Sequence, residues 1–217
     1  VMEDAQSNPM SLVTNLAGMM SFLPPDERAA LGYSLNDLVF AATFEMKELN
    51  LTNELTPYND PSMGNCYTFN HSNRTTKYVA RQPGELGGFA ATVKIDQAEY
   101  LPWTETAGMY VFVHPVGSDI FVESNRFTMK PKLAQWMQIT QSSFSRMKSK
   151  HYAPCTMGTE GAQSYYFSGT YSVDGCYRSC YQDKVAKECG CMDPNYVMPE
   201  TATPCNFTSC SQACEPA

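Results

Sequence analysis

No apolar run in this chain approaches the length of a membrane span. The longest, Leu38 to Phe44, already contains Thr43, against the roughly 20 predominantly apolar residues a crossing helix requires. Histidine is scarce: His71, His114 and His151 stand in three unrelated settings, with no spacing that suggests paired metal ligands or a hydrolase triad. Positive charge is in deficit, 15 Lys and Arg against 22 Asp and Glu for a net −7, which argues against a nucleic-acid partner. An acidic balance mildly favours cations near the surface, although its ordinary service is solubility. The glycines of Pro83-Gly84-Glu85-Leu86-Gly87-Gly88 precede no helical pattern, so they form a loop rather than a phosphate cradle. Repeats and low-complexity tracts are also lacking. An enzyme is the least supported class, and neither a cofactor nor a metal is expected.

What the chain does have is cysteine: Cys66, Cys155, Cys176, Cys180, Cys189, Cys191, Cys205, Cys210 and Cys214. Clustered thiols suit either a structural zinc site or disulfides. Four Asn-x-Ser/Thr sequons, at Asn50, Asn70, Asn73 and Asn206, suggest a glycosylated and hence exported chain. In that compartment cysteines oxidise and pair, so disulfides are the preferred reading. Nine is an odd number, which leaves a partner elsewhere or a free thiol. Cys66 stands far ahead of the next cysteine and is expected to pair outside the chain; on a strand it reads as half of a disulfide, not as a nucleophile. Sequons and cysteines without a signal peptide, in a chain opening at Val1, lead us to expect an ectodomain fragment.

The densest stretch runs from Cys176 to Cys191. No Gly or Pro interrupts Tyr177 to Glu188, residues mostly tolerant of helix, and Gly190 supplies a left-handed stop. Cys176 and Cys180 leave one face of that helix, and Cys189 lies about half a turn from Cys180. Upstream, Leu12, Leu16 and Met19 or Met20 give a helical period that Pro24-Pro25 ends. Asp26 to Leu31 restarts a helix, Gly32 interrupts it, and Ser34 caps another bearing Leu35, Leu38, Val39 and Ala42 at helical spacing. These stripes read as core packing.

From about Thr43 the period becomes two. Tyr67 and Phe69 alternate with Cys66 and Thr68, and Ala91, Val93 and Ile95 alternate with polar neighbours as a half-buried strand. Met109 to Val113, apolar on both faces, suggests a central strand turned by Val116-Gly117-Ser118-Asp119. Gln135 to Met147 and Tyr165 to Tyr171 also read extended. Helices, then strands, then a cysteine-pinned helix make an α+β chain with a mostly antiparallel sheet.

Three stretches carry a resemblance. They are Gly64-Asn65-Cys66-Tyr67-Thr68-Phe69-Asn70; Glu99-Tyr100-Leu101-Pro102 followed by Ala107 to Pro115; and Asp174-Gly175-Cys176-Tyr177-Arg178-Ser179-Cys180, running through Cys189-Gly190-Cys191-Met192-Asp193-Pro194. Together with Leu31 to Leu38 they resemble the degenerin/epithelial sodium channel family, which includes the acid-sensing ion channels, over nearly the whole chain. Tyr181-Gln182-Asp183 and Met192 to Tyr196 are most similar to the nematode degenerins.

The resemblance implies a subunit of a trimeric, amiloride-blocked, sodium-selective channel in the plasma membrane. Its partners would be identical or homologous subunits, sodium ions would pass its pore, and two membrane helices would lie outside this extracellular chain. It further implies a helical finger region over 1–48, palm and β-ball strands over 49–154 and a cysteine-rich helical thumb over 155–217. By family analogy the cysteines from Cys176 to Cys214 form a nested ladder. Cys191–Cys205 is its best single pairing, with Cys176–Cys214 and Cys180–Cys210 consistent with nesting and Cys189 left without a clear partner. The partners of Cys66 and Cys155 would lie upstream and downstream. Tyr152 and Glu99 are the implied gating-coupling residues, Tyr152 linking thumb to pore.

The chain also departs from that family. Where relatives carry a cysteine pair seven apart near the finger, it has Ala42 and Leu49, so a whole bridge is lost. The acidic pair before Tyr-Leu-Pro is reduced to Ala98-Glu99, and one carboxylate cannot raise a neighbour's pKa as two crowded ones do. The chloride-binding charges of the acid-sensing members' thumb fall on Tyr177 and Tyr181, so that site is expected to be absent. A secreted, disulfide-rich binding or matrix module without conductance is the competing reading.

Overall fold

The computed structural model describes residues 16, 18–20, 22–60, 62–84, 86–100, 104, 106–121, 124, 126–144, 164–199 and 201–205. In chain order its elements are α1 (Pro25–Leu31), α2 (Leu35–Leu38), β1 (Val39–Phe44), β2 (Lys47–Glu48), α3 (Leu51–Glu54), β3 (Leu55–Asp60), β4 (Gly64–Phe69), β5 (Phe89–Val93), β6 (Met109–Phe112), β7 (Arg126–Met129) and α4 (Val173–Cys189). Helices and antiparallel strands are mixed, an α+β content as the element order predicts. Residues 16 and 18–20 are helical too; Leu12 lies outside the described residues.

α1 places Pro25 at its start and Asp26 and Glu27 in its first turn, where carboxylates meet unpaired N–H groups. α2 is closed by a capping box: Ser34 Oγ accepts from the Asp37 N–H, and the Asp37 carboxylate accepts from the Ser34 N–H. The helix expected to continue through Ala42 does not. At Val39 the chain becomes β1, which pairs antiparallel with β2 on one side and β5 on the other. Aromatic and β-branched residues suit that pleated surface, and ladders on both sides outweigh local helix preference. The misleading spacing has a physical source. The register shifts between Val39 and Ala41, and such an irregularity lets Val39 and Ala42, three apart, face one core.

That core is Val39, Ala42 and Leu55, with Leu35, Leu38, Leu49, Leu51, Tyr67, Phe69 and Val93 packed against it. The β1–β2 turn is Glu45-Met46, both at positive φ (47° and 66°), the two-residue geometry that matches strand twist. It brings the Leu49 N–H onto the Ala42 carbonyl at 2.9 Å. The two positions at which a bridge is missing therefore adjoin, and apolar packing holds them. Beyond the hairpin, Phe44, Phe69, Tyr78 and Phe89 form an aromatic group with ring centroids 4.5–5.7 Å apart.

Other strand expectations change. β3 and β4 form a regular hairpin from Leu55↔Phe69 to Asp60↔Gly64. β5 begins at Phe89 and ends at Val93, and Phe89, Ala90, Ala91 and Thr92 are exposed rather than half-buried, because β5 is the edge of a three-stranded sheet. β6 is not central: among the described residues it pairs with β7 alone. Its Tyr110 is exposed, with the Arg126 guanidinium 4.1 Å from the ring centroid. Residues 135–144 form no strand; Trp136, Ile139 and Phe144 are exposed with no ladder partner among the described residues. Tyr165 to Tyr171 is irregular as well, its amides being taken by side chains and a turn.

Candidate functional site

α4 is braced by polar contacts rather than by an apolar stripe. Ser172 caps it by accepting from the Gly175 N–H at 3.0 Å, and Gly190 ends it at φ 70°, as expected of that glycine. Its buried residues are Gly175, Ser179, Gln182 and Val185, one face at three- and four-residue spacing. A Cβ on Gly175 would lie 2.7 Å from the Tyr165 hydroxyl, so glycine permits that close approach. Ser179 Oγ donates to the Gly175 carbonyl at 2.8 Å and accepts from the Tyr166 N–H at 3.1 Å. Tyr166 donates its hydroxyl to Asp183; this bond first, and burial second, raise its pKa.

Gln182, 1% exposed, is the centre of the arrangement. Its Nε2 donates to the Asp193 carbonyl at 2.9 Å and the Val197 carbonyl at 3.3 Å, and its Oε1 accepts from the Asp193 N–H at 2.9 Å. One side chain thus satisfies three backbone groups and holds the segment after α4 against the helix. Tyr181 adds a hydroxyl bond to Asp193 at 3.0 Å. The disulfide Cys191–Cys205 then closes the segment, with Cα atoms 5.0 Å apart. Beside it the Met192 N–H reaches the Thr203 carbonyl and the Cys205 N–H the Met192 carbonyl, at 2.9 and 2.8 Å.

The braced helix is tied to the turn after β6. Asp119 accepts from the Gly169 N–H at 2.8 Å, and the Gly117 carbonyl accepts from both the Thr170 N–H and its hydroxyl. The Arg178 guanidinium lies 4.6 Å from the Phe121 ring centroid and 5.0 Å from that of Tyr196, a cation–π bridge between turn, helix and following segment. Tyr177 and Tyr181 line an open groove of about 360 Å³ with Asp174, Arg178 and Tyr196.

A second junction involves the Gly64-Asn65-Cys66-Tyr67 stretch. Asn65 and Tyr67 share one face of β4. Asn65 Nδ2 donates to the Ala29 and Tyr33 carbonyls at 2.8 and 3.1 Å, and the Tyr67 hydroxyl donates to the Tyr33 carbonyl at 2.9 Å. Glu99, in the short 3₁₀ turn Gln97–Glu99, faces the hydroxyl of the same Tyr33. That hydrogen bond, then burial, pushes the tyrosine up to about 12. Glu99 therefore meets the α1–α2 connection; Tyr152 lies outside the described residues.

Cys66, on the opposite face, is partly buried. Burial, with Asp60 adding to it, pushes its thiol up to about 11 from an ordinary 9.0. The fold thus favours the neutral thiol, a contribution complete below pH 9 and lost as pH climbs through 11. At pH 8 roughly one molecule in a thousand carries the reactive thiolate. In the 217-residue chain, maleimide at pH 8 should spare Cys66 until denaturant is added, whereas exposed Cys180 reacts at once. Peptide mapping showing fast labelling of Cys66 in the folded chain would contradict this.

Of the nested ladder, the Cys191–Cys205 rung falls wholly within the described residues. Among the described residues Cys66, Cys176 and Cys180 carry thiols, while Cys176–Cys214 and Cys180–Cys210 each involve a cysteine outside those residues and stay part of the nested proposal. Cys189, left over in the nested scheme, is disulfide-bonded. On α4, Cys180 is exposed, and the Cys176 thiol shares a hydrogen bond with Tyr171 that raises the tyrosine's pKa. Cys155, Cys210, Cys214 and the Asn206 sequon lie outside the described residues; Asn50, Asn70 and Asn73 lie within them. Sequence reasoning missed Gln182, Ser179, Asp183 and Asp193. Their only signal was polar residues at helical spacing where an apolar stripe was absent.

Residues 3–216 match the family model described as Amiloride-sensitive sodium channel. Degenerin del-1 of Caenorhabditis elegans is 31% identical over 180 residues, 83% of this chain and 27% of that protein. Degenerin-like protein unc-105 of the same organism is 30% identical over 203 residues, 91% and 23% of the two chains. Epithelial sodium channel subunit alpha of Cavia porcellus is 27% identical over 178 residues, 81% and 26%. The chain spans about a quarter of the length of these curated relatives. The family model and the Cavia porcellus relative are both described as sodium channels. The match takes in every described element, from α1 to the braced α4, and on it the chain belongs to the amiloride-sensitive sodium channel family.

Proposed function

We propose that this chain is the extracellular domain of a degenerin-type subunit of a trimeric, sodium-selective, amiloride-sensitive channel of the plasma membrane. It relays an extracellular stimulus to a gate formed by membrane helices outside the chain. The observation that carries this reading is the family match from residue 3 to residue 216. No helix among the described residues is long and apolar enough to cross a membrane, which accords with a role beside the bilayer.

In this reading 1–48 is a finger region, 49–154 a palm with β-ball strands, and 155–217 a thumb. Two observations support the relay. Gln182 and the Cys191–Cys205 bridge keep α4 and the following segment from moving apart, and the Asp119–Gly169 bond passes displacement on to the turn after β6. A link that flexed internally would absorb motion instead of transmitting it. Tyr152 completes the path to the pore, and Glu99 connects the finger end. Identical or homologous subunits are the partners and sodium the transported ion.

Whole-cell recording from the full-length protein, with surface delivery checked by biotinylation, tests the reading. Touch, acid and peptide stimuli are applied in turn. A sodium current blocked by amiloride is expected under at least one of them. Surface protein that passes no sodium current under any of them would overturn it in favour of a non-conducting module.

A further inference from the structure

The sequons Asn70-His71-Ser72 and Asn73-Arg74-Thr75 lie end to end, yet the fold treats their asparagines differently. Asn70 stands just past β4 at φ 57°, and both ends of its amide are engaged by one residue. Nδ2 donates to the Tyr78 carbonyl at 2.9 Å, and Oδ1 accepts from the Tyr78 N–H at 3.0 Å. This ring forms the neck of the 70–78 loop and anchors Tyr78, whose aromatic ring packs on Phe44 and Phe69. Lys77 Nζ, on the carbonyls of His71 and Ser72, and Arg74, on Leu55 and Thr56, hold the loop in shape.

A paired amide of this kind must use the Nδ2 hydrogen on the same side as Oδ1. A carbon attached to an amide nitrogen takes that side too, as the following Cα does in a trans peptide. A glycan on Asn70 would therefore occupy the position of the hydrogen that Tyr78 needs. Keeping the ring would require a cis amide, which secondary amides strongly disfavour. Opening it would strip partners from the backbone of a part-buried residue.

Asn73 has no such conflict. It is exposed near the loop tip; its N–H donates to His71 Nδ1 and its Oδ1 accepts from Ser72 Oγ, neither of which involves Nδ2. Asn50 is also compatible, since it caps α3 through Oδ1 by accepting from the Asn53 N–H at 3.2 Å.

We infer that Asn73 carries the N-linked glycan of the adjacent pair, while Asn70 stays unmodified as the clasp of the loop. The inference rests on the extracellular reading above. The donor is a lipid-linked oligosaccharide pyrophosphate. The Nδ2–C bond forms as the anomeric C–O bond breaks, the pyrophosphate leaves with the electron pair, and the displaced amide proton passes to a base of the transferase. The sugar would stand at the rim of the cleft, about 400 Å³, lined in part by His71, His114, Asp119 and Gly169. Chains modified at Asn70 during synthesis could not close the loop, so surface protein is the population to measure.

Full-length protein recovered from the surface of animal cells is deglycosylated enzymatically in heavy-oxygen water and mapped by mass spectrometry. Conversion to labelled Asp is expected at Asn73 and not at Asn70. Thr75→Ala should remove one glycan's worth of gel mobility without recruiting Asn70, and Ser72→Ala should change nothing. Both substitutions leave the Asn70–Tyr78 ring in place. Label at Asn70, in the wild type or in Thr75→Ala, overturns the inference, as does a bare Asn73 beside a labelled Asn50; in each case the extracellular reading survives. No label at Asn50, Asn73 or Asn206 overturns both.

Discussion

Replacing Cys191 and Cys205 by Ser in the full-length protein should uncouple stimulus from current while subunits still assemble and reach the surface. The bridge closes a separation of 14 residues, for which loop-closure entropy gives about 3 kcal/mol. Losing that much locally raises the population of the opened segment roughly a hundredfold. The Met192–Thr203 and Met192–Cys205 backbone bonds are too few to hold the segment's far end unaided. Surface biotinylation should be unchanged, and the current at saturating stimulus should fall sharply. A stimulus–current curve identical to wild type would reject the relay through this segment.

The second large effect belongs to Gln182. Gln182→Leu keeps the volume but leaves the Asp193 N–H and the Asp193 and Val197 carbonyls without the partner they now share. Stranding such groups costs about 2–4 kcal/mol, as much as the disulfide contributes. Faster limited proteolysis between 192 and 205 reads it directly, and a lower unfolding temperature should accompany it. Because Gln182 and Cys191–Cys205 restrain the same segment, the combined variant should lose less than the sum of the two. Strict additivity would mean that the two restraints act independently, contrary to the geometry. A shift below about 0.5 kcal/mol, ordinary for a surface change, would show that the amide is not a brace at all.

The readable and unreadable parts of this fold divide on physical lines. The C-terminal end of α4 was legible because Gly190 and the uninterrupted stretch from Tyr177 to Glu188 are local signals, whereas its start at the Ser172 cap went unread. The Ser34–Asp37 box was half legible, the serine as a cap and its partner not. β1 was misread because Val39 and Ala42 recur at a helical interval, an accident of the register shift opposite β5. The Glu45-Met46 turn carries none of the Asn-Gly chemistry that announces a two-residue hairpin. Gln182 escaped because its three partners lie 11 to 15 residues away, beyond any local pattern. The Cys191–Cys205 pairing came from family likeness, as the innermost short loop of the nested ladder that the likeness implies.

Ala42 and Leu49, adjoining across the first hairpin, leave that hairpin without a sulfur bridge. Thiol reagents have nothing to cut there, whereas the segment after α4 contains a bond they can open. A mild reductant therefore acts on this protein as a selective probe, loosening the C-terminal brace and leaving the N-terminal hairpin as rigid as before.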